Sequence, residues 1–198
     1  MFIGSNNTLT YLEPLNGWFK IFKGLGSCQN IDYGMQYTLW GARLFDFRLY
    51  ANKRGHIIIK NGSYEYPLFS FYEVLDYLNK KGDAIVYITL DTYREHDSKV
   101  ERERINNRFS ECCRIIESIY EDTMFCGGYA RSDGEKIYSF EWEKQHGSPT
   151  LIEPMEWSRL YRFVSKWCPR LLKKLNKKYI NQFKDKNGYL MLNYINRR

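Results

Sequence analysis

The stretch GARLFDFRLY, Gly41 to Tyr50, carries an apolar run that begins after Arg43 and is interrupted by Asp46 and Arg48. The run predicts a strand, Arg43 to Tyr50, with both charges towards its end. Working outward, apolar runs bounded by glycine or polar residues predict further strands at Met1 to Gly4, His56 to Lys60 and Ala84 to Leu90, with a weaker one at Thr123 to Cys126. Two more follow at Thr150 to Ile152 and Tyr189 to Asn193. Helical spacing separates them: Phe69, Val74, Leu75 and Leu78 before Gly82, then Val100 through Tyr120, then Trp157 to Phe183. This alternation predicts an α/β fold with a mainly parallel sheet.

A chain of 198 residues with 43% hydrophobic and 27% charged composition can bury a core but is short for two domains, so residues 1–198 are read as one unit. No apolar run is long enough to cross a bilayer, and the opening MFIGSNNTLTY lacks the basic flank and apolar run of a signal peptide. The expectation is a soluble, cytoplasmic chain, although a processed precursor would begin the same way. Cys28, Cys112, Cys113, Cys126 and Cys168 are odd in number and lack metal-ligand spacing, which predicts reduced thiols.

The net charge of +7 favours anionic partners without choosing among them. Its distribution is uneven: Trp157 to Lys184 contains no Asp or Glu but carries Arg159, Arg162, Lys166, Arg170, Lys173, Lys174, Lys177, Lys178 and Lys184. As a helix, this segment would turn Leu160, Phe163, Val164, Trp167, Leu171, Leu172 and Leu175 inward and its cations to water. Either a solvated outer helix or docking to anionic lipid or another polyanion follows. The tyrosines and tryptophans read as packing residues and not as a nucleic-acid platform. FCGGYARSDGEKIYSFEWEKQHGS reads as a long loop over the mouth of the sheet. The sequence leaves oligomeric state open.

Three segments in order resemble the phosphatidylinositol-specific phospholipase C X-domain family: IGSNNTLTY (Ile3 to Tyr11), GARLFDFRLY, and IIIKNGSYEY (Ile57 to Tyr66). FSFYEVLDYLNKKGDAIVYITLDTY and GYLMLNYIN agree more weakly, so about the first 95 residues and about the last ten carry the likeness. The resemblance implies a compact or irregular (βα) TIM-type barrel, the PLC-like phosphodiesterase fold, with working residues at the C-terminal ends of the strands. It also implies phosphodiester chemistry without a nucleotide cofactor, in which one histidine is the base, another the acid, carboxylates orient them and an arginine faces the phosphate.

Asn6 and Asn61 stand at the two histidine positions, Asn7 and Asn193 at positions where carboxylates are common, while Asp46 and Arg48 match. An amide neither takes up nor releases a proton near neutral pH. The expectation is therefore an inactive relative retaining a phosphate-sized cleft at Arg48, with Asn7 and Asp91 in supporting positions. An active diester hydrolase or lyase using Asp46, Asp91, His96 or His146, or a structural or assembly component, are the alternatives. Asn7 and Asp91 fall where animal members bind calcium, but Arg48 replaces one of their carboxylate ligands, so no cofactor is expected and calcium is the lesser alternative. Read without the resemblance, Asp46 with Arg48 is a strand-end ion pair, and Asn6, Asn7 and Asn61 are turn residues.

Overall fold

The computed structural model describes residues 1–17, 29–52, 54–61, 63–93, 97–152 and 169–193. Its strands are β1 (Phe2–Ser5), β2 (Ala42–Ala51), β3 (Ile57–Asn61), β4 (Tyr64–Tyr66), β5 (Ile85–Leu90), β6 (Met124–Ala130), β7 (Leu151–Ile152) and β8 (Tyr189–Leu192). The helices are α1 (Tyr33–Thr38), α2 (Leu68–Asn79), α3 (Lys99–Ile119), α4 (Glu141–His146) and α5 (Pro169–Phe183). None of the described helices is long and apolar enough to cross a membrane.

Six strands run parallel in the order β7-β8-β1-β2-β5-β6. The antiparallel pair β3 and β4 joins at the C-terminal end of β2, where Leu49 faces Ile59 and Ala51 faces Ile57. Leu49 also pairs with Leu90 of β5. The β3–β4 pair therefore shares the β1 edge of β2, beyond the point where β1 stops.

In a flat sheet β6 and β7 would lie five strand spacings apart, about 24 Å. Yet Leu44, Ile85, Cys126 and Met191 form one buried cluster, with Met124 of β6 and Leu151 of β7 both packed against it. The sheet is thus curled around these side chains, although no pairing joins β6 to β7 among the described residues. The opposite face meets the helices. Phe45, Phe47, Leu49, Val86, Ile88, Leu90, Leu190 and Leu192 pack in a second cluster with Phe71, Val74, Ile105, Phe109, Tyr179 and Phe183. Because both faces are covered, the strands read as nearly continuous apolar runs.

The predicted helices at Phe69 to Leu78 and Val100 to Tyr120 correspond to α2 and α3. α2 buries Phe71, Val74, Leu75 and Leu78, and Gly82, in the left-handed region at φ 72°, ends it with its N–H on the Leu78 carbonyl. α3 starts at Ser98, whose side chain accepts the Glu101 N–H, and buries Ile105, Phe109, Cys112, Cys113 and Ile116 on one stripe. Of the long C-terminal helix, 157–168 lies outside the described residues, as do Cys28 and Cys168. In α5 the buried positions are Asn176, Tyr179 and Phe183, whereas Leu175 is only half-buried.

The segment expected to be a loop over the mouth is half regular structure, with residues 131–140 remaining a connection. β6 continues to Ala130, and α4 follows after a turn; Phe140 is fully buried. Gly127 and Gly128 broke the apolar pattern, but both have positive φ, and a Cβ on Gly127 would lie 2.3 Å from the Ile88 carbonyl oxygen. The glycines permit close strand approach, and the chain reads as loop only because they carry no side chain.

Candidate functional site

Alternation along the strands sorts the inner face of the curled sheet into layers. Tyr189 lies nearest the strand N-termini; Gly4, Leu44, Ile85, Met124 and Met191 share the next register; Asp46, Tyr87 and Cys126 come next; Arg48 and Thr89 follow. The interior therefore passes from apolar to polar towards the C-terminal ends. A Cβ built on Gly4 would sit 2.3 Å from the Met191 sulfur, so the absence of a side chain at position 4 makes room for Met191.

At the polar end the chain leaves β1 through Asn6 and Asn7. Asn7 is left-handed, with φ 48°, a conformation asparagine tolerates better than most residues. This turn lets the Asn7 N–H donate to Asp46 Oδ2 at 3.1 Å and the Thr8 N–H to the Asp46 carbonyl at 2.9 Å.

Arg48 is the centre of the arrangement. Its Nη2 donates to Asn6 Oδ1 at 3.2 Å, its Nη1 donates to Asn61 Oδ1 at 3.3 Å, and its Nε stands 3.5 Å from Asp46 Oδ2. Asn6 Nδ2 in turn donates to Asn193 Oδ1 at 2.6 Å. Asn6, Asp46, Arg48, Asn61 and Asn193 thus meet at one end of the sheet, and Asn7 contacts them through its backbone. Asp46 Oδ1 and Thr89 Oγ1 are buried without a hydrogen-bond partner among the described residues. Beside Asp46 and Arg48 lies a void of about 10 Å³, the size of one water, lined also by Thr8, Thr10 and Lys60.

Asp91, just beyond β5, is buried, and its Oδ2 stands 3.7 Å from the Lys60 ammonium. Lys60 itself lies over the Tyr50 ring, 4.0 Å from its centroid. Extending the β2–β3 register by one residue sets Lys60 opposite Arg48 on the same face. Sequence reasoning passed over Lys60 as the last residue of an ordinary strand.

Two glutamines were also missed. Gln29 Nε2 donates to the carbonyls of Asn6 (3.2 Å) and Leu192 (2.9 Å), tying β1 to β8. Gln36 on α1 accepts from Ser5 Oγ and donates to the Thr8 carbonyl at 3.2 Å. Both are fully buried, yet neither lies on a periodic apolar pattern that would have marked it.

Neither described histidine joins this group. His96 lies outside the described residues. His146, exposed at the end of α4, stacks on Trp142, which packs with Leu44, Ile85, Leu151 and Tyr189 near the strand N-termini. It is at the other end of the sheet from Arg48. His56 is exposed ahead of β3. Two described inner side chains are held in their protonated forms. Burial, then the nearby Asp46 charge, holds the Tyr87 phenol well above its usual value, and burial, then Glu143, does the same for the Cys126 thiol.

No protein-family model matches the chain, and no curated protein matches it. Among solved structures, it is similar to a double mutant of the phosphatidylinositol-specific phospholipase C from S. aureus, at 15% identity and a TM-score of 0.55. The match covers 96% of this chain and 84% of that one. At this identity the likeness is one of fold: the chain has the curled parallel α/β architecture of a bacterial phosphatidylinositol-specific phospholipase C.

Proposed function

We propose that this is a PI-PLC-like protein, built on a compact, irregular (βα) barrel, that does not turn over phosphodiesters and offers Arg48 as a weak site for a phosphate-bearing ligand. One observation carries the reading: the Arg48 guanidinium is hydrogen-bonded to the side-chain oxygens of Asn6 and Asn61. Those are the positions where the resemblance expects the base and the acid. General acid and base catalysis are each worth about 10² to 10⁴ in rate, so amides at both positions leave electrostatic stabilisation without proton transfer.

Phosphate oxygens could replace the two amide oxygens on the guanidinium, a charge-assisted exchange for neutral hydrogen bonds. Asp46 opposes it by sharing the same cation, which keeps the affinity low. The Thr89 hydroxyl, on the same inner face, can donate a further hydrogen bond. A metal-independent site is part of the proposal. Each buried carboxylate at this end already faces a cation, Asp46 with Arg48 and Asp91 with Lys60, which disfavours a dication there.

The test is diacylglycerol release from phosphatidylinositol by the purified chain, together with calorimetric titration of inositol phosphate. The expected result is no release and weak binding that Arg48→Ala abolishes. Release that Arg48→Ala abolishes would overturn the inactive reading and favour an enzyme with relocated acid and base groups. Asn6→His with Asn61→His, supported by Asn7→Asp and Asn193→Asp, is the constructive variant; single reversions are expected to do little because such groups act as a unit.

A further inference from the structure

The outer face of α5 carries Lys173, Lys174, Lys177 and Lys178, all exposed, with Lys184 just beyond the helix. At 100° per residue the four helix lysines fill one sector of about 140°. They form two like-charged i, i+4 pairs, Lys173 with Lys177 and Lys174 with Lys178, an arrangement that weakens a helix unless something neutralises it. Nothing in the helix does. Trp157 to Lys184 contains no carboxylate, and none of these lysines has an ion-pair partner among the described residues. Arg108 with Glu111 and Lys144 with Glu141 are exposed cations paired within one helical turn, whereas exposed Lys80, Lys99 and Arg114 stand without an ion pair among the described residues; the α5 lysines differ from those in being grouped on one helix face.

The inner face of the same helix is fixed to the polar end of the sheet. Asn176, fully buried between the lysine pairs, donates from Nδ2 to the Asn193 carbonyl at 3.2 Å, and Tyr179 and Phe183 bury beside it. The lysine sector is therefore held on a rigid element level with the strand end that contributes to the candidate site.

We infer that this lysine face docks the protein onto an anionic lipid surface. Lysine is a compact point charge suited to many diffuse anions and lacks the bidentate fork of arginine for individual phosphates. Among the described residues the sector also shows no exposed aromatic ring on which a nucleic-acid base could stack. Both features match a charged bilayer better than a nucleic acid. Each lysine near an anionic leaflet gives about a five-fold gain in partitioning, so four give a gain of several hundred-fold at low salt. The inference is independent of whether Arg48 binds phosphate.

Co-sedimentation with vesicles of phosphatidylcholine, with and without phosphatidylglycerol, tests it. Phosphatidylcholine carries the same phosphodiester as phosphatidylglycerol, so the vesicles without phosphatidylglycerol report any head-group contribution from the Arg48 site. The wild type is expected to bind only the anionic vesicles, to lose binding at high salt, and to lose at least about 100-fold in partitioning when Lys173, Lys174, Lys177 and Lys178 are all changed to Gln. Lys80→Gln with Lys81→Gln, at two exposed lysines outside α5, should bind as the wild type does, separating this face from general basic charge. Far-ultraviolet circular dichroism should show the quadruple variant fully folded, because the replaced side chains are exposed. No binding at low salt, binding unchanged in the quadruple variant, or tighter binding to a single-stranded RNA than to the vesicles at equal salt would each overturn the proposal.

Discussion

Replacing Asp46 by Asn isolates the charge at the centre of the site. Asn has nearly the same shape and can still accept the Asn7 N–H that Asp46 Oδ2 receives at 3.1 Å. What disappears is the negative charge 3.5 Å from Arg48 Nε, between side chains only 2% and 11% exposed. At an effective dielectric near 20, two unit charges at that separation attract by about 5 kcal/mol. Arg48 keeps some contact with water and retains its two amide acceptors, so the loss should fall near 3 kcal/mol, the lower end for a buried pair deprived of one partner. For a domain of this size that corresponds to a fall in Tm of about 6 to 12 °C. Urea unfolding of Asp46→Asn, Arg48→Met and the double variant gives the coupling directly. The double variant should be less destabilised than the sum of the singles by about 3 kcal/mol. A loss below about 1 kcal/mol in Asp46→Asn, with no coupling, would show that water already solvates the pair and would remove the argument that Arg48 is a desolvated, charge-balanced group.

Gly4→Ala should destabilise the fold by about 1 to 3 kcal/mol, since its Cβ would meet the Met191 sulfur at 2.3 Å and the thioether must move within a packed interior; an unchanged urea midpoint would contradict the layer described there. Alkaline pH should also unfold the protein. Burial first, and then the hydrogen bond its hydroxyl donates to Asp76 Oδ1 at 2.9 Å, push Tyr120 up to about 12. Between the unfolded value near 10 and that raised value, the unfolded chain has lost the proton and the folded chain has kept it. Stability is therefore constant to about pH 9 and falls above 10. Tyr120→Phe should flatten this slope, and an equal slope in the variant would assign the alkaline loss to other groups.

Much of the fold was legible because sheet and helix periods differ and because strands covered on both faces are apolar throughout. β2, β3, β5 and β8 were found within one or two residues of their observed ends, and the two helices flanking β5 likewise. The features missed were those whose ordering comes from distant parts of the chain. β4 is a three-residue strand held by its pairing with β3, with Tyr66 facing Ile59. α1 has Gln36 rather than an apolar residue as its one buried position, because it serves the turn after β1 instead of a core stripe. The second half of β6 was hidden by glycines that the neighbouring Ile88 backbone requires.

For the site, the sequence supplied the charges and the resemblance supplied the pairing of distant positions. Neither supplied the hydrogen bonds. Read singly, Asn6, Asn61 and Asn193 are ordinary residues at strand ends. Their significance lies in a chain of contacts running from Asn193 through Asn6 to Arg48 and on to Asn61. In that chain every amide oxygen accepts and the guanidinium donates twice. Histidines at positions 6 and 61 would bring titratable groups to the same guanidinium, whose charge disfavours their protonated forms. Amides form the same contacts at every pH, so positions 6 and 61 are fixed polar contacts and the charges at this end of the sheet belong to Asp46 with Arg48 and Asp91 with Lys60. Under the proposed function such a cluster would hold an anion by exchange at Arg48, with no group at positions 6 or 61 to pass a proton to or from the bound ligand.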